Sequence, residues 1–147
     1  MDSRGAFDES RYLDDAEQLV GRLQGSARSD DFESTACEAV GEFNSFDDPS
    51  IFVGPVIRLI ENNPDIDFGS PGPLVHFVER FYGGGYENLL VSSLERRPTS
   101  HTVWMLRRII NDPACPGRQE YIDLLRKAGE RDDVDEDVKR TIRTLLE

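Results

Sequence analysis

The chain has 147 residues, a length that suits one compact domain, and its 29 acidic and 17 basic side chains give a formal net charge of −12. This acidic excess argues against direct nucleic acid binding, and no apolar run approaches the roughly 20 residues that span a membrane. Cys37 and Cys115 are too few for a disulfide framework, and the N-terminus lacks a secretory pattern, so we predict a cytoplasmic protein with free thiols.

Apolar residues recur at helical spacing from the start of the chain, and three helices are predicted before residue 65. The first ends at Gly25. The second runs from about residue 31 to 43, with Asp30 as its N-cap. The third follows Ser50 as its cap and ends at Asn62-Asn63-Pro64. The apolar stripes are Tyr12, Ala16, Leu19, Val20 and Leu23; Phe32, Ala36, Ala39, Val40 and Phe43; and Ile51, Phe52, Val56, Leu59 and Ile60.

Residues 65–73 form the longest predicted irregular segment, because two prolines and two glycines fall within five residues. Five more helices follow this segment. Gly83-Gly84-Gly85 ends the first of them, Pro98-Thr99-Ser100 opens the third, and Gly129 ends the fourth. The stripes are Leu74, Phe77, Val78 and Phe81; Tyr86, Leu89, Leu90 and Leu94; Val103, Leu106, Ile109 and Ile110; Tyr121, Leu124, Leu125 and Ala128; and Val134, Val138, Ile142, Leu145 and Leu146.

About eight short helices joined by short turns predict an all-α fold that occupies residues 1–147 as a single domain. Ile60-Glu61-Asn62-Asn63-Pro64 and Ile109-Ile110-Asn111-Asp112-Pro113 are similar and lie 49 residues apart, close to the period of helix-pair repeats. We therefore rank a HEAT-like α-solenoid of antiparallel helices first and an irregular helical bundle second.

The negative charge is concentrated in the first half of the chain. Residues 1–70 carry 16 acidic and 5 basic side chains, whereas residues 71–147 carry 13 and 12. Within residues 31–70, nine acids accompany the single base Arg58. Two interpretations stay open: a solvated face that keeps the protein soluble, and a surface that meets a basic partner.

The residues with catalytic or metal-binding chemistry do not assemble into a recognisable site. His76 is expected to be exposed and paired with Glu79, and a His-x-x-Glu pair supplies two ligands where zinc takes three or four. Cys37 is expected to be buried and Cys115 exposed, and neither has an adjacent base to activate it. We predict no metal, no cofactor and no enzymatic activity; the alternative is a small metal-dependent enzyme that uses His76, Glu79 and His101.

Two segments in the middle of the chain resemble small all-helical immunity proteins. They are Asp65-Ile66-Asp67-Phe68-Gly69-Ser70-Pro71-Gly72-Pro73-Leu74-Val75-His76 and Pro98-Thr99-Ser100-His101-Thr102-Val103-Trp104-Met105-Leu106. Such proteins are encoded beside bacterial polymorphic toxins, including the contact-dependent and Rhs-type systems, and the similarity covers roughly residues 50–115. The resemblance implies a cytoplasmic antidote that binds and occludes the toxin domain of its own system.

The acidic excess agrees with this function, because an acidic surface can block the substrate cleft of a basic toxin. We therefore predict an immunity protein whose partner is a basic toxin C-terminal domain, with no direct binding of nucleic acid or membrane. The alternative from a different class is a helical-repeat scaffold for protein interactions. The predicted partner-binding residues are Asp47, Asp48, Glu61, Asp65, Asp67 and Phe68.

Overall fold

The computed structural model describes residues 9–69 and 72–147, with the side chains of residues 9–15 excepted. Over these residues the chain forms eight α-helices and one short 3-10 helix, and no strand, so the predicted all-helical fold is confirmed. No helix in this part of the chain is both long enough and apolar enough to cross a membrane. The helices are α1 Glu9–Gly25, α2 Phe32–Phe43, α3 Val53–Asn62, α4 Pro73–Glu79, α5 Tyr86–Arg96, α6 Ser100–Ile110, α7 Arg118–Gly129 and α8 Glu136–Leu146, and the 3-10 helix is Pro49–Phe52.

The starts of α2 and α3 differ from the predictions. Asp31, not Asp30, occupies the N-cap position of α2, and its side chain makes no capping hydrogen bond. Ser50 is not the cap of α3, because the 3-10 helix comes first and Asp48 caps that helix by accepting a hydrogen bond from the Ser50 amide. Since α3 begins only at Val53, Pro55 lies in its first turn, where a missing N–H costs no intrahelical hydrogen bond.

The described residues divide into two compact units. Unit 1 runs up to Leu59 and includes Ile66–Phe81, and unit 2 consists of Ile60–Asp65 and Tyr82–Glu147. These boundaries do not coincide with the acidic and charge-balanced halves of the sequence. That residues 1–147 act as one domain stays a prediction.

Aromatic side chains dominate the core of unit 1, in which α1 and α4 both pack against α2. The ring of Phe43 stacks on that of Phe52 with centroids 4.2 Å apart and tilts against Phe77 at 5.1 Å. All three side chains are almost completely buried. Rings of this size remove much apolar surface from water, and their contacts add about 0.5–1.5 kcal/mol per pair beyond that burial.

The loop that leads into α4 depends on a glycine. A Cβ atom added at Gly72 would lie 1.8 Å from the backbone oxygen of Phe68, so any larger residue would force the backbone to move. Pro73 then occupies the first turn of α4, where its ring fits the helical φ angle. The sequence predicts this start of the helix but not the close approach that requires Gly72.

The core of unit 2 forms around α6, which packs against α5, α7 and α8. The start of α6 is fixed by a capping box, in which Thr99 and Thr102 each accept a hydrogen bond from the other's backbone N–H. Most residues of the predicted stripes in unit 2 are buried, but Leu89 is exposed at 41%. Four others are half-buried: Tyr121, Leu124, Leu145 and Leu146. Fully buried side chains include Leu90, Leu94, Val103, Leu106, Ile110 and Leu125.

Candidate functional site

The six residues predicted to bind a partner are divided between the two units. Asp47, Asp48, Asp67 and Phe68 belong to unit 1, and Glu61 and Asp65 belong to unit 2. The four aspartates are exposed, as the prediction requires. Glu61 and Phe68 are not, with exposures of 5% and 4%. We therefore remove these two residues from the candidate set.

Glu61 is a structural residue of unit 2. Its carboxylate accepts a hydrogen bond of 2.8 Å from the Ser93 hydroxyl and one of 2.7 Å from the Arg96 guanidinium. Ser93 and Arg96 lie three residues apart on α5 and so present their donors on the same side of that helix. A carboxylate can be buried at low cost only when its charge is paired in this way. Glu61 therefore ties residues 60–62, the part of α3 that belongs to unit 2, to α5.

Phe68 belongs to the core of unit 1, where its ring meets the ring of Phe32 edge-on with centroids 5.8 Å apart. The neighbouring Asp67 is exposed, and its carboxylate accepts a 2.8 Å hydrogen bond from the Gly69 amide, which tightens the loop. In this loop the Asp67 carboxylate is therefore exposed, whereas the Phe68 ring is buried. The irregular sequence around residues 65–73 gives no periodicity from which this inward orientation could be predicted.

The densest exposed acidic region is α2 and its flanking turns. We call it the acidic segment; its acids are Asp30, Asp31, Glu33, Glu38, Glu42, Asp47 and Asp48, all exposed. No lysine or arginine occurs between residues 29 and 57. Helical periodicity explains the outward placement of the acids within α2, because the buried positions of that helix are Phe32, Ala36, Ala39 and Phe43.

The prediction from sequence identified only the last two acids of this segment as partner-binding residues. Asp30, Asp31, Glu33, Glu38 and Glu42 are not among the predicted residues, because that prediction centres on the proline-rich loop. The signal that could have found them is the apolar stripe of α2, since every acid of the helix falls between its buried positions.

One of these carboxylates contacts a base of unit 1. The guanidinium of Arg22 on α1 lies 3.4 Å from the Glu42 carboxylate, and the two side chains are 72% and 54% exposed. A pair this exposed contributes about 0–1 kcal/mol, because water screens both charges. An incoming cation could therefore displace Arg22 at little cost.

A groove of about 590 Å³ lies beside this ion pair. It is lined by Gln18, Leu19, Gly21, Arg22, Glu42 and Phe46. Leu19 and Phe46 supply apolar surface, and the remaining side chains supply polar groups of both signs. Phe46 is half-buried and is supported from below by Phe52, whose ring lies 4.9 Å away in an edge-on arrangement. The groove therefore combines apolar surface with one carboxylate and one guanidinium, those of Glu42 and Arg22.

The residues considered for metal binding do not form a cluster. His76 is exposed and its Nδ1 atom lies 3.8 Å from the Glu79 carboxylate, so the predicted pairing is confirmed. These two residues belong to unit 1, whereas His101 belongs to unit 2, where its ring lies 5.5 Å from that of Trp104. Among the described side chains, those of residues 16–69 and 72–147, no three His, Cys, Asp or Glu groups come close enough together to hold a metal ion.

Both predictions about the cysteines are wrong. Cys37 is exposed, because it follows the buried Ala36 and points about 100° around α2 from it. Cys115 is buried, and its thiol donates a hydrogen bond of 3.4 Å to the Pro116 carbonyl. The turn that holds Cys115 folds inward through a backbone hydrogen bond from its amide to the Asp112 carbonyl.

No family model, curated protein or solved structure matches this chain. The resemblance of residues 50–115 to immunity proteins therefore depends on the segments quoted from the sequence. The charge and shape of the acidic segment are independent of that resemblance.

Proposed function

We propose that the protein is a non-catalytic cytoplasmic inhibitor that binds the basic toxin domain of its own polymorphic toxin system. The observation that carries the proposal is the acidic segment, with seven exposed carboxylates and no lysine or arginine between residues 29 and 57. The mechanism is steric occlusion of the toxin's substrate cleft, assisted by electrostatic complementarity.

Electrostatic repulsion between the acids of α2 is an argument for a binding role. Glu38 and Glu42 are one helical turn apart, and like charges at that spacing cost an isolated helix roughly 0.2–0.5 kcal/mol. A sequence selected for stability alone would alternate the signs of its charges there. The potential that results instead attracts a cationic surface, which speeds association and excludes acidic partners.

Occlusion also follows from the chemistry of the carboxylates. A basic cleft that binds phosphate or another anionic substrate presents Lys and Arg side chains at close spacing. Carboxylates on a rigid helix can pair with those cations in place of the substrate. Within the docked surface, loss of one partner of a desolvated charge pair costs about 2–5 kcal/mol, because its mate is left unpaired.

The test is co-expression with the protein encoded by the adjacent reading frame, scored by rescue of growth and by titration calorimetry of the purified pair. Double reversal of Glu33 and Glu38 to lysine is expected to abolish rescue and weaken binding. The matched control reverses Glu130 and Asp132, two exposed acids of unit 2, and changes the net charge equally.

Equal loss of binding in both double variants would mean that only the total charge matters, and would refute a localised acidic site. Absence of any effect in the first variant would refute the role of the acidic segment. Binding of neutral peptides with the same affinity as basic ones would instead favour the helical-scaffold alternative.

A further inference from the structure

The groove between α1 and α2 contains Glu42, one of the carboxylates of the acidic segment. Its volume of about 590 Å³ lies within the range of about 300–1,000 Å³ that is usual for binding pockets. Such a volume holds several side chains, so the natural occupant is a short stretch of polypeptide. The half-buried Phe46, beside the more deeply buried Leu19, offers that occupant an apolar contact, and Glu42 offers a carboxylate whose present partner, Arg22, is exposed.

We propose that this groove is the anchoring site for a basic, apolar-faced peptide segment of the toxin partner. One apolar side chain of the segment packs on Leu19 and Phe46, and an adjacent arginine or lysine binds the Glu42 carboxylate and displaces Arg22. This inference rests on the proposed function and names the kind of segment that the inhibitor recognises. Charge complementarity selects it: Glu42 lines the groove, and Asp47 and Asp48, both exposed, directly follow the lining residue Phe46 in the chain.

Gly21 lines the groove and contributes no side chain to it. It lies inside α1, where glycine is less favourable than alanine by about 0.5–1 kcal/mol. A Cβ atom at this position would meet no other atom within 4 Å, so packing inside the protein does not require glycine. A larger side chain at position 21 would instead project into the groove that Gly21 lines.

Gly41 provides a matched control for Gly21. It also lies inside a helix, is exposed, and has open space around its Cβ position, but it does not line the groove. Gly21→Gln and Gly41→Gln therefore bring the same side chain and the same gain in helix propensity. Both variants are expected to fold and to unfold at a temperature no lower than the parent protein. They differ in whether the groove is filled.

The experiment uses two synthetic peptides of equal positive charge. One is a helical peptide with arginines along one face and leucines along the other, and in the second peptide serine replaces each leucine. Fluorescence anisotropy is expected to show the leucine peptide binding to the parent protein at least about tenfold more tightly than the serine peptide, a difference of roughly 1.4 kcal/mol. Gly21→Gln is expected to remove that preference and Gly41→Gln to retain it.

A third variant, Glu42→Gln, keeps the shape of the groove and removes one charge. It is expected to weaken binding of both peptides and to reduce the salt dependence of the affinity. Equal affinity of the parent protein for the two peptides would overturn the proposal, because the surface would then select charge alone. So would a full leucine preference in a folded Gly21→Gln protein.

These outcomes are separable from the fate of the proposed function. If the groove variants behave as expected but co-expression gives no rescue of growth, the groove recognises basic apolar segments and toxin inhibition is refuted. If growth is rescued equally by the parent and Gly21→Gln proteins, inhibition stands and the anchoring role of the groove is refuted.

Discussion

Units 1 and 2 differ in how their acidic side chains are placed relative to basic ones. In unit 2 two arginines pair closely with acids of the same unit: Arg96 with Glu61 at 2.7 Å and Arg131 with Asp133 at 2.8 Å. In unit 1 the acidic segment places seven exposed carboxylates along a stretch that contains no base. The comparison teaches that Glu61 and Asp133 of unit 2 hold structure together through their arginine partners, whereas the acids of α2 in unit 1 repel one another slightly, as the proposed binding role would explain.

The side chain of Arg131 links several parts of unit 2. Its guanidinium binds both oxygens of Asp133 and also donates to the carbonyls of Leu94 and Glu95, at the end of α5. A single side chain thereby satisfies carbonyls that the helix leaves without an intrahelical partner. The turn between α7 and α8 is tied to α5 by this contact.

The largest expected effect would come from breaking the ion pair beneath α5. Arg96→Ala should lower the free energy of unfolding by about 3 kcal/mol, because the buried Glu61 carboxylate would lose its cation. Urea denaturation measures the loss. Replacing Glu61 and Arg96 together by leucine is the control and should restore most of the stability; an unchanged midpoint in Arg96→Ala would show that unit 2 does not depend on this pair.

A steric change in unit 1 should have the next largest effect. Gly72→Ala is expected to destabilise the protein by about 2 kcal/mol, since the new methyl group would overlap the Phe68 carbonyl. Gly54→Ala, where no atom lies within 4 Å of the added Cβ, is the control and should be neutral or stabilising in the same thermal denaturation experiment. Similar unfolding temperatures for the two variants would contradict the close approach at Gly72.

Neutralising the acidic segment should hardly change stability. Glu38→Gln is expected to alter the free energy of unfolding by no more than about 0.5 kcal/mol, and in the stabilising direction, because it relieves repulsion with Glu42. Denaturant titrations of the two proteins at low salt measure the difference. A marked loss of stability would contradict the comparison, since the carboxylates of α2 would then be structural as well.

The smallest effect concerns pH. The hydrogen bond and charge of Arg131 hold the pKa of Asp133 below its ordinary value of 3.8. A carboxylate with a lowered pKa in the folded state stabilises the protein above its unfolded pKa, and this contribution is lost as the pH falls through the folded pKa. Carbon-detected NMR should show Asp133 titrating at a lower pH in the parent protein than in Arg131→Gln; an Asp133 that titrates identically in the two proteins would contradict the role of Arg131.

Much of the fold could be predicted from the sequence because helices are governed by local spacing. The ends of α3 and α6 follow from Asn62-Asn63-Pro64 and Asn111-Asp112-Pro113, and nearly every apolar stripe lies inward. The 3-10 helix before α3 was missed because the hydrogen bonds from Ser50 to Asp48 compete with an ordinary N-cap at Ser50.

The candidate site was harder to predict, because the state of a polar side chain depends on distant partners. Glu61 has the sequence context of an exposed acid near a loop, yet its partners Ser93 and Arg96 lie 32 and 35 residues further along the chain. Phe68 sits in a segment without periodicity, so its burial against Phe32 has no local signature. By contrast, the acids of α2 could be assigned to the surface from the buried stripe of the same helix.

The contrasting exposure of the two cysteines makes unit 1 selectively addressable. Cys37 presents its thiol to solvent in the middle of α2, whereas Cys115 is enclosed by its turn. Under native conditions a maleimide dye or a photo-crosslinker should attach to Cys37 well before it reaches Cys115. The natural chain thus carries its own labelling handle among the carboxylates, from which the footprint of a docked protein can be mapped without engineering a new residue.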